Sequence, residues 1–183
     1  MKRMKMLGIV ALAAMVVFGM TACGEDLCVD GHTWGNWTQV DGTAAGEREC
    51  TVCGEKEPLT KEHFEGKWVT STNSNTIEIS ASGDLKVYNA STVATNYWTL
   101  TGATWAAEES QTSSISNYTT IKASYPIGFR LSGGTTGGSA TNSWSANDAG
   151  TASVYINATG DKIVVRLTNA YLTDPTIREF TKQ

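Results

Sequence analysis

Four residues early in the chain have side chains and a spacing suited to binding a metal ion. Three residues separate Cys28 from His32, seventeen residues separate His32 from Cys50, and two residues separate Cys50 from Cys53. Zinc builds its tetrahedral structural sites from thiolate and imidazole groups, and this gap is typical of paired zinc knuckles. Gly54, which follows the second pair, would leave room for backbone amides to point at the sulfurs. We therefore predict one structural zinc ion held by these four residues.

Disulfide bonding is the main alternative, because the rest of the sequence indicates an oxidising compartment. The chain has four cysteines, and Cys23 has a separate assignment, given below. The remaining three thiols cannot all pair among themselves, and a bridge between Cys50 and Cys53 would leave Cys28 over. An idle or intermolecular arrangement of the thiols also stays open. Catalytic zinc is not expected, since four protein ligands would fill every position.

The metal pattern lies in a compact segment, residues 28–58, which we predict to be a small zinc-ribbon-like unit because it has too few apolar side chains to fold by burial alone. We expect its two tryptophans, Trp34 and Trp37, to pack over the metal site. Two stretches carry a further pattern, His32-Thr33-Trp34-Gly35-Asn36-Trp37 and Ala45-Gly46-Glu47-Arg48-Glu49-Cys50-Thr51-Val52-Cys53-Gly54. They resemble a recurrent module of bacterial surface proteins, which implies a spacer or stalk element. The module often has a cysteine before its Ala-Gly pair, where this chain has Thr43-Ala44.

Residues 1–22 have the architecture of a secretory signal peptide. Lys2, Arg3 and Lys5 precede an apolar run, 6–20, which is shorter than the ~20 residues of a membrane-spanning helix. The run ends in Met20-Thr21-Ala22-Cys23, which resembles the lipobox of bacterial lipoproteins. That resemblance implies cleavage before Cys23, acyl chains on Cys23, and a lipidated tether over residues 23–27. The alternative is an ordinary signal peptide with a fortuitous cysteine.

This assignment predicts a location outside the cytoplasm, in the cell envelope, with the protein anchored to a bacterial membrane through its acyl chains. Residues 1–22 hold three of the fourteen Lys and Arg and none of the eighteen Asp and Glu, so the mature net charge would be −7. Nucleic acid is excluded as an expected partner, because its binding requires basic patches. The acidic chain is also poorly suited to electrostatic attachment to an anionic membrane.

A charged linker, residues 59–63, precedes a cysteine-free segment, residues 64–183, in which short apolar stretches alternate with turn residues. Several stretches have the period-two alternation of strands. We predict strands at Gly66–Thr70, Thr76–Ile79, Leu85–Tyr88, Tyr97–Thr101, Thr119–Ala123, Ile127–Leu131, Ala152–Asn157, Lys162–Thr168 and Thr176–Thr181. The segment is thus predicted to be an all-β domain, either an antiparallel barrel or a β-sandwich.

Glycine positions refine this prediction. Ala81–Asp84 and Ala158–Asp161 each place a glycine between two strand-like stretches, which predicts a hairpin turn. The glycine-rich stretch Ser132–Asn142 predicts a mobile loop. The polar stretch 106–117 allows one helical turn at Ala106–Glu109.

The domain opens with Phe64-Glu65-Gly66-Lys67-Trp68. A Gly-x-Trp on the first strand resembles the calycin group of lipocalins and avidins. The resemblance implies an up-and-down barrel in which Trp68 closes one end and an arginine from a late strand packs across it. Arg166 would be that arginine. The remainder does not match the biotin-site pattern of avidins, so biotin is not implied.

Aromatic side chains lie among Ser, Thr and Asn in this domain, which favours binding of a small amphipathic ligand or a carbohydrate. Trp98, Trp105 and Trp144 are the expected contacts, although core packing is an alternative for each. A structural or adhesive surface protein without a pocket is the alternative function. We do not expect an enzyme, because the spacing selects no catalytic set, and His63, in the charged linker, is expected to be solvated.

Overall fold

The computed structural model describes residue 28 and residues 31–70, 75–89, 97–109, 123–138, 151–168 and 176–183. The chain divides into two compact units. The smaller unit is Met1–Gly35 with Glu49–Glu55, and the larger is Asn36–Arg48 with Lys56–Gln183. The middle of segment 28–58 therefore groups with the larger unit. The domain bounds inferred from the sequence, including the linker at 59–63, stay predictions.

The larger unit begins with a small sheet in the order β1-β2-β3. These strands are Thr38–Gln39, Gly46–Glu49 and Lys56–Pro58, and a 3-10 helix at Lys61–Phe64 follows them. Gly46 lies where the backbone packs closely, because a Cβ there would stand 2.3 Å from the side chain of Ile127. This first part of the unit is thereby fixed against the main core.

Trp37 anchors the small sheet. Its side chain is buried, and its backbone N–H donates to the Ala158 carbonyl at 2.7 Å. The Arg48 guanidinium lies 4.6 Å from the centre of the Trp37 ring, and the His63 ring meets it edge-on at 4.7 Å. Glu57 accepts a hydrogen bond from Arg48 and lies 3.3 Å from His63 Nε2. Two expectations are therefore wrong: Trp37 packs in the larger unit, and His63 is a partnered, partly buried side chain.

Among the described residues, ten strands form the main sheet of the larger unit. They are antiparallel neighbours in the order β10-β7-β6-β5-β4-β13-β12-β11-β9-β8. Their bounds are Gly66–Val69 (β4), Asn75–Ile79 (β5), Leu85–Asn89 (β6), Tyr97–Thr101 (β7), Thr104–Glu109 (β8), Ile127–Ser132 (β9), Thr135–Gly138 (β10), Thr151–Ile156 (β11), Lys162–Thr168 (β12) and Thr176–Lys182 (β13).

The sheet curls into a barrel-like form, as its pairing shows. The last strand, β13, pairs with the first, β4, through Thr181 opposite Val69. At the far ends of the order, β7 pairs with β10 and β8 pairs with β9. These two pairings share one register, because Thr101 lies opposite Thr135 and Thr104 lies opposite Ser132. A single long ladder therefore runs through both pairs.

The inner face of the sheet carries the core. Alternate residues point inward, as in β5 and β6, because successive side chains of a strand lie on opposite faces. Burial of these apolar side chains is the main stabilising term of the unit. The cluster consists of Trp37, Leu59, Phe64, Trp68, Ile77, Ile79, Leu85, Val87, Trp98, Leu100, Ile127, Leu131, Ala152, Val154, Ile156, Ile163, Val165 and Phe180.

The mostly-β prediction is confirmed, and eight of the nine predicted strands are present with bounds shifted by a residue or less. The ninth, Thr119–Ala123, lies almost wholly outside the described residues. Both predicted hairpin turns are present, with Gly83 and Gly160 at positive φ (86° and 79°). Ala106–Glu109, predicted as a helical turn, is strand β8, because it pairs along its whole length with β9.

The stretch Ser132–Asn142, predicted as a mobile loop, contains strand β10. Its glycines allow close approach to β7. A Cβ at Gly138 would lie 2.5 Å from the Tyr97 carbonyl oxygen, and one at Gly134 would lie 2.7 Å from that of Thr101. The glycine run therefore serves tight strand pairing here.

Candidate metal centre

Cys28, His32, Cys50 and Cys53 come together in the smaller unit. Their ligand atoms all lie within 4.8 Å of one another. The Sγ atoms of Cys28 and Cys50 are 3.6 Å apart, and Cys53 Sγ is 3.4 Å from His32 Nδ1. A tetrahedral zinc ion, with Zn–S of about 2.3 Å and Zn–N of about 2.0 Å, would hold two sulfurs about 3.8 Å apart and a sulfur and a nitrogen about 3.5 Å apart. Two of the ligand-atom distances therefore match a tetrahedral zinc site, and the four residues lie close enough together to bind one metal ion.

A tight turn positions the second cysteine pair. Gly54 has φ of 77°, and its N–H donates to the Cys50 carbonyl at 2.9 Å. The Cys50 N–H donates to the Glu55 carbonyl at 2.8 Å, which closes the turn. Since the left-handed conformation strains residues that have a Cβ, the sequence needs glycine at position 54.

The segment that carries His32, residues 31–35, is joined to this turn by backbone hydrogen bonds. Thr51 N–H donates to the Thr33 carbonyl at 2.9 Å, and Gly35 N–H donates to the Glu49 carbonyl at 2.9 Å. Trp34 and Cys50 form an isolated antiparallel bridge. The Trp34 ring lies 4.7 Å from the His32 ring, so one of the two expected tryptophans does pack at the site.

The surroundings of Cys50 and Cys28 shift the pKa values of these two thiols in opposite directions. Burial acts to raise the pKa of the Cys50 thiol, but hydrogen bonds from the backbone of Cys53 and Val52 and from His32 outweigh it and lower the pKa to about 6. Hydrogen bonding to Cys53, burial and the neighbouring Cys50 raise the pKa of Cys28 to about 12. One sulfur thus has an environment that favours thiolate, which is the form that binds a metal.

The cysteines at 28, 50 and 53 are free thiols in this structure. The Cys28–Cys50 sulfur separation of 3.6 Å is far from the ~2.0 Å of a disulfide bond. The arrangement can therefore bind a metal ion, as the spacing in the sequence predicted.

Sequence reasoning missed Glu55. Its carboxylate lies 3.2 Å from His32 Nε2, on the edge of the imidazole opposite the sulfurs. The only available signal was its position directly after the Cys-x-x-Cys-Gly turn, which holds it near the ligands.

Two of the three tryptophans predicted to bind a ligand lie in the core or pack against it. Trp98 is only 5% exposed and belongs to the core cluster. Trp105 is half-buried against that cluster, and its Nε1–H donates to the Gly83 carbonyl at 3.0 Å. Trp144 and the predicted lipidation site, Cys23, lie outside the described residues. The structure thus brings together the metal residues, whereas the two described tryptophans of the predicted ligand site belong to the core or pack against it.

Trp68 and Arg166, predicted to close the barrel together, do not share a face of the sheet. Trp68 is fully buried in the core cluster, as are Ile163 and Val165 of β12. Arg166 follows Val165 and so points to the other face. The cation over the Trp68 ring is Lys182, whose Nζ lies 5.2 Å from the ring centre.

Compared with models of protein families, with curated proteins and with solved structures, the chain finds no match in any of the three. Within the described residues there is no helix with the length and apolar character needed to cross a membrane.

Proposed function

We propose that this protein is a lipid-anchored surface protein of the bacterial envelope, in which a structural zinc ion stabilises the smaller unit and the β unit has a structural or adhesive role. One observation carries the zinc part of the proposal: three thiols and an imidazole converge within 4.8 Å. Zinc is the metal of choice for such a ligand set, and four protein ligands leave no open position for catalysis.

A structural role for zinc follows from the small size of the unit. Among its described residues only Cys50 is buried, so apolar burial cannot hold it together. Units of this size usually need a metal or disulfide, and a four-ligand zinc site contributes roughly 10 kcal/mol or more at neutral pH.

Elemental analysis of the full chain, purified under reducing conditions, tests the zinc proposal. We expect about one zinc per chain for the parent and a loss of most zinc in Cys53→Ser. Thr51→Ser is a matched control between the two cysteines, because it keeps the hydroxyl that donates to the Thr33 carbonyl. A parent protein without zinc would refute the assignment.

Lipid attachment at Cys23 rests on the lipobox resemblance and on the short apolar run. Metabolic labelling with a fatty acid should mark the parent and leave Cys23→Ala unlabelled. Labelling of the alanine variant as strong as that of the parent would rule out acylation at this residue.

The larger unit is proposed as a closed, calycin-like barrel. Two features support this: β13 pairs with β4, and the β7–β10 and β8–β9 pairs form one ladder. If residues 97–109 are counted as one long strand and residues 127–138 as another, the ten strands of the described residues occupy eight positions around a ring. An up-and-down order of eight strands is that of a small barrel.

The packing of the inner face favours the structural or adhesive role. Trp98 is buried in the core cluster and Trp105 is half-buried against it, while Phe64 and Phe129 pack edge-on with their ring centres 5.7 Å apart. Aromatic side chains that fill a core bury large areas and stabilise it.

Binding of a small amphipathic ligand is the second candidate, favoured by a groove on the outer face. The groove has a volume of about 530 Å³ and is lined by residues that include Lys67, Glu78 and Lys86. The Lys86 ammonium lies 5.3 Å from the Tyr88 ring and 5.7 Å from the Tyr97 ring. This volume is in the range of ligand sites.

A mass-spectrometric survey of small molecules retained by the purified protein separates the two candidates. The structural role predicts that no compound is enriched over the matched variant Lys86→Glu. Enrichment that the variant abolishes would favour the ligand-binding role instead.

A further inference from the structure

The two nitrogens of His32 face different partners. Nδ1 lies 3.4 Å from Cys53 Sγ, on the side of the sulfurs. Nε2 lies 3.2 Å from the Glu55 carboxylate. A neutral imidazole offers one nitrogen as a metal ligand and carries its proton on the other, and the hydrogen bond made by the protonated nitrogen selects the tautomer.

We propose that Glu55 is a positioning residue of the metal centre, which accepts the Nε2–H of His32 and thereby presents Nδ1 to the metal. The inference rests on the proposed zinc site. A carboxylate bonded to the distal nitrogen of a ligating histidine fixes the ring orientation and raises the basicity of the ligand. The His32 ring is further limited by the Trp34 ring, 4.7 Å away.

Glu55 acts on the site through two groups. Its carbonyl oxygen accepts the Cys50 N–H at 2.8 Å, which closes the Cys-x-x-Cys turn. Its carboxylate lies 3.2 Å from Nε2 of His32, which belongs to the segment 31–35. The residue therefore contacts both halves of the ligand set, and the hydrogen bond of its carbonyl to Cys50 holds its backbone next to the turn.

The size of the effect follows from exposure. The Glu55 side chain is 62% exposed, so water competes for both partners and screens the charge. Loss of such a partner usually lowers metal affinity by about 10–100-fold, and an exposed carboxylate belongs at the lower end of that range. We expect Glu55→Ala to weaken zinc binding by about tenfold.

Zinc affinity of the full chain, measured by competition with a chromophoric chelator, tests the proposal. Glu55→Gln retains an oxygen that accepts the Nε2–H, and it should bind zinc within about threefold of the parent. Glu49→Ala is the matched control: it removes the same charge one residue before Cys50, and among the described residues no hydrogen bond joins its side chain to the four ligands. It should also stay within about threefold.

A second readout reports the bonding of the histidine itself. Long-range proton–nitrogen correlation spectra of the zinc-loaded parent should show His32 with a protonated Nε2 and a metal-bound Nδ1. Metal on Nε2, or an affinity of Glu55→Ala equal to that of Glu49→Ala, would overturn the role of Glu55 and leave the zinc site intact. A parent that binds no zinc would overturn both proposals.

Discussion

Replacing Trp68 by Phe should destabilise the protein by about 2–4 kcal/mol. Trp68 is fully buried, and its Nε1–H donates to the carbonyl of Phe64, itself a buried residue, at 2.8 Å. Removing that donor leaves the carbonyl without its partner, at a cost of about 1–3 kcal/mol. The smaller ring adds about 1 kcal/mol through lost apolar burial and unfilled space.

The contact between Trp68 and Lys182 can be separated from this cost. Lys182 is exposed, so its attraction to the ring should contribute about 0.5–1 kcal/mol. A double-mutant cycle with Trp68→Leu and Lys182→Met should give a coupling energy of that size. The same cycle with Arg166→Met in place of Lys182→Met should give none, since Arg166 points to the other face.

Urea unfolding followed by far-ultraviolet circular dichroism supplies the free energies of unfolding. A loss below about 1 kcal/mol for Trp68→Phe would refute the hydrogen-bond argument. Coupling of Trp68 to Arg166 but not to Lys182 would show that the inner and outer faces of β12 have been assigned the wrong way round.

Three further outcomes are expected. Gly128→Ala should destabilise the fold by more than about 3 kcal/mol in urea unfolding, because the new Cβ would lie 2.0 Å from the Val154 carbonyl oxygen. Gly137→Ala should destabilise it less, because its Cβ would meet only the Thr99 hydroxyl, at 2.9 Å. Trp105→Phe should cost about 0.5–1.5 kcal/mol through loss of its hydrogen bond to Gly83. Burial acts to raise the pKa of Glu57, but Arg48 and His63 outweigh it and hold the pKa below its usual 4.5. The ionised Glu57 carboxylate thus stabilises the fold at pH values above the usual pKa of 4.5. This stabilisation is lost as the pH falls through the lower pKa that Glu57 has in the folded protein. In Glu57→Gln the free energy of unfolding should therefore decrease less steeply as the pH is lowered. An equally steep decrease in parent and variant would contradict this.

The sequence predicted the strands well where one face is apolar, as in β5 with Ile77 and Ile79 and in β6 with Leu85 and Val87. It did not predict the direction of Arg166. Apolar residues occupy both faces of β12 at 163–165, so the pattern does not say which face is the core. Lys182 was missed because its contact with Trp68 depends on the pairing of β13 with β4, which no local pattern encodes.

The metal residues could be predicted because ligand chemistry restricts residue type and spacing more tightly than burial does. Glu55 could not be, since exposed glutamates are common and its role depends on a turn that brings it to the far edge of the imidazole. Similarly, the local sequence around Trp37 gives no sign that it packs against the 157–161 turn, which is more than a hundred residues away in the chain.

The pairing of β13 with β4 has a consequence for how the protein is made. Thr181 lies opposite Val69, 112 positions earlier, so the seam between β13 and β4 cannot form until residues 181 and 182 have been synthesised. Contacts between such distant positions slow folding, because the entropy of closing the intervening loop is lost before the contacts form. Until then β4 and β12 present unpaired edges, which are sites for association with other chains. A chain shortened by residues 176–183 would keep those edges permanently, and we expect it to aggregate during refolding under conditions in which the full chain stays monomeric by light scattering.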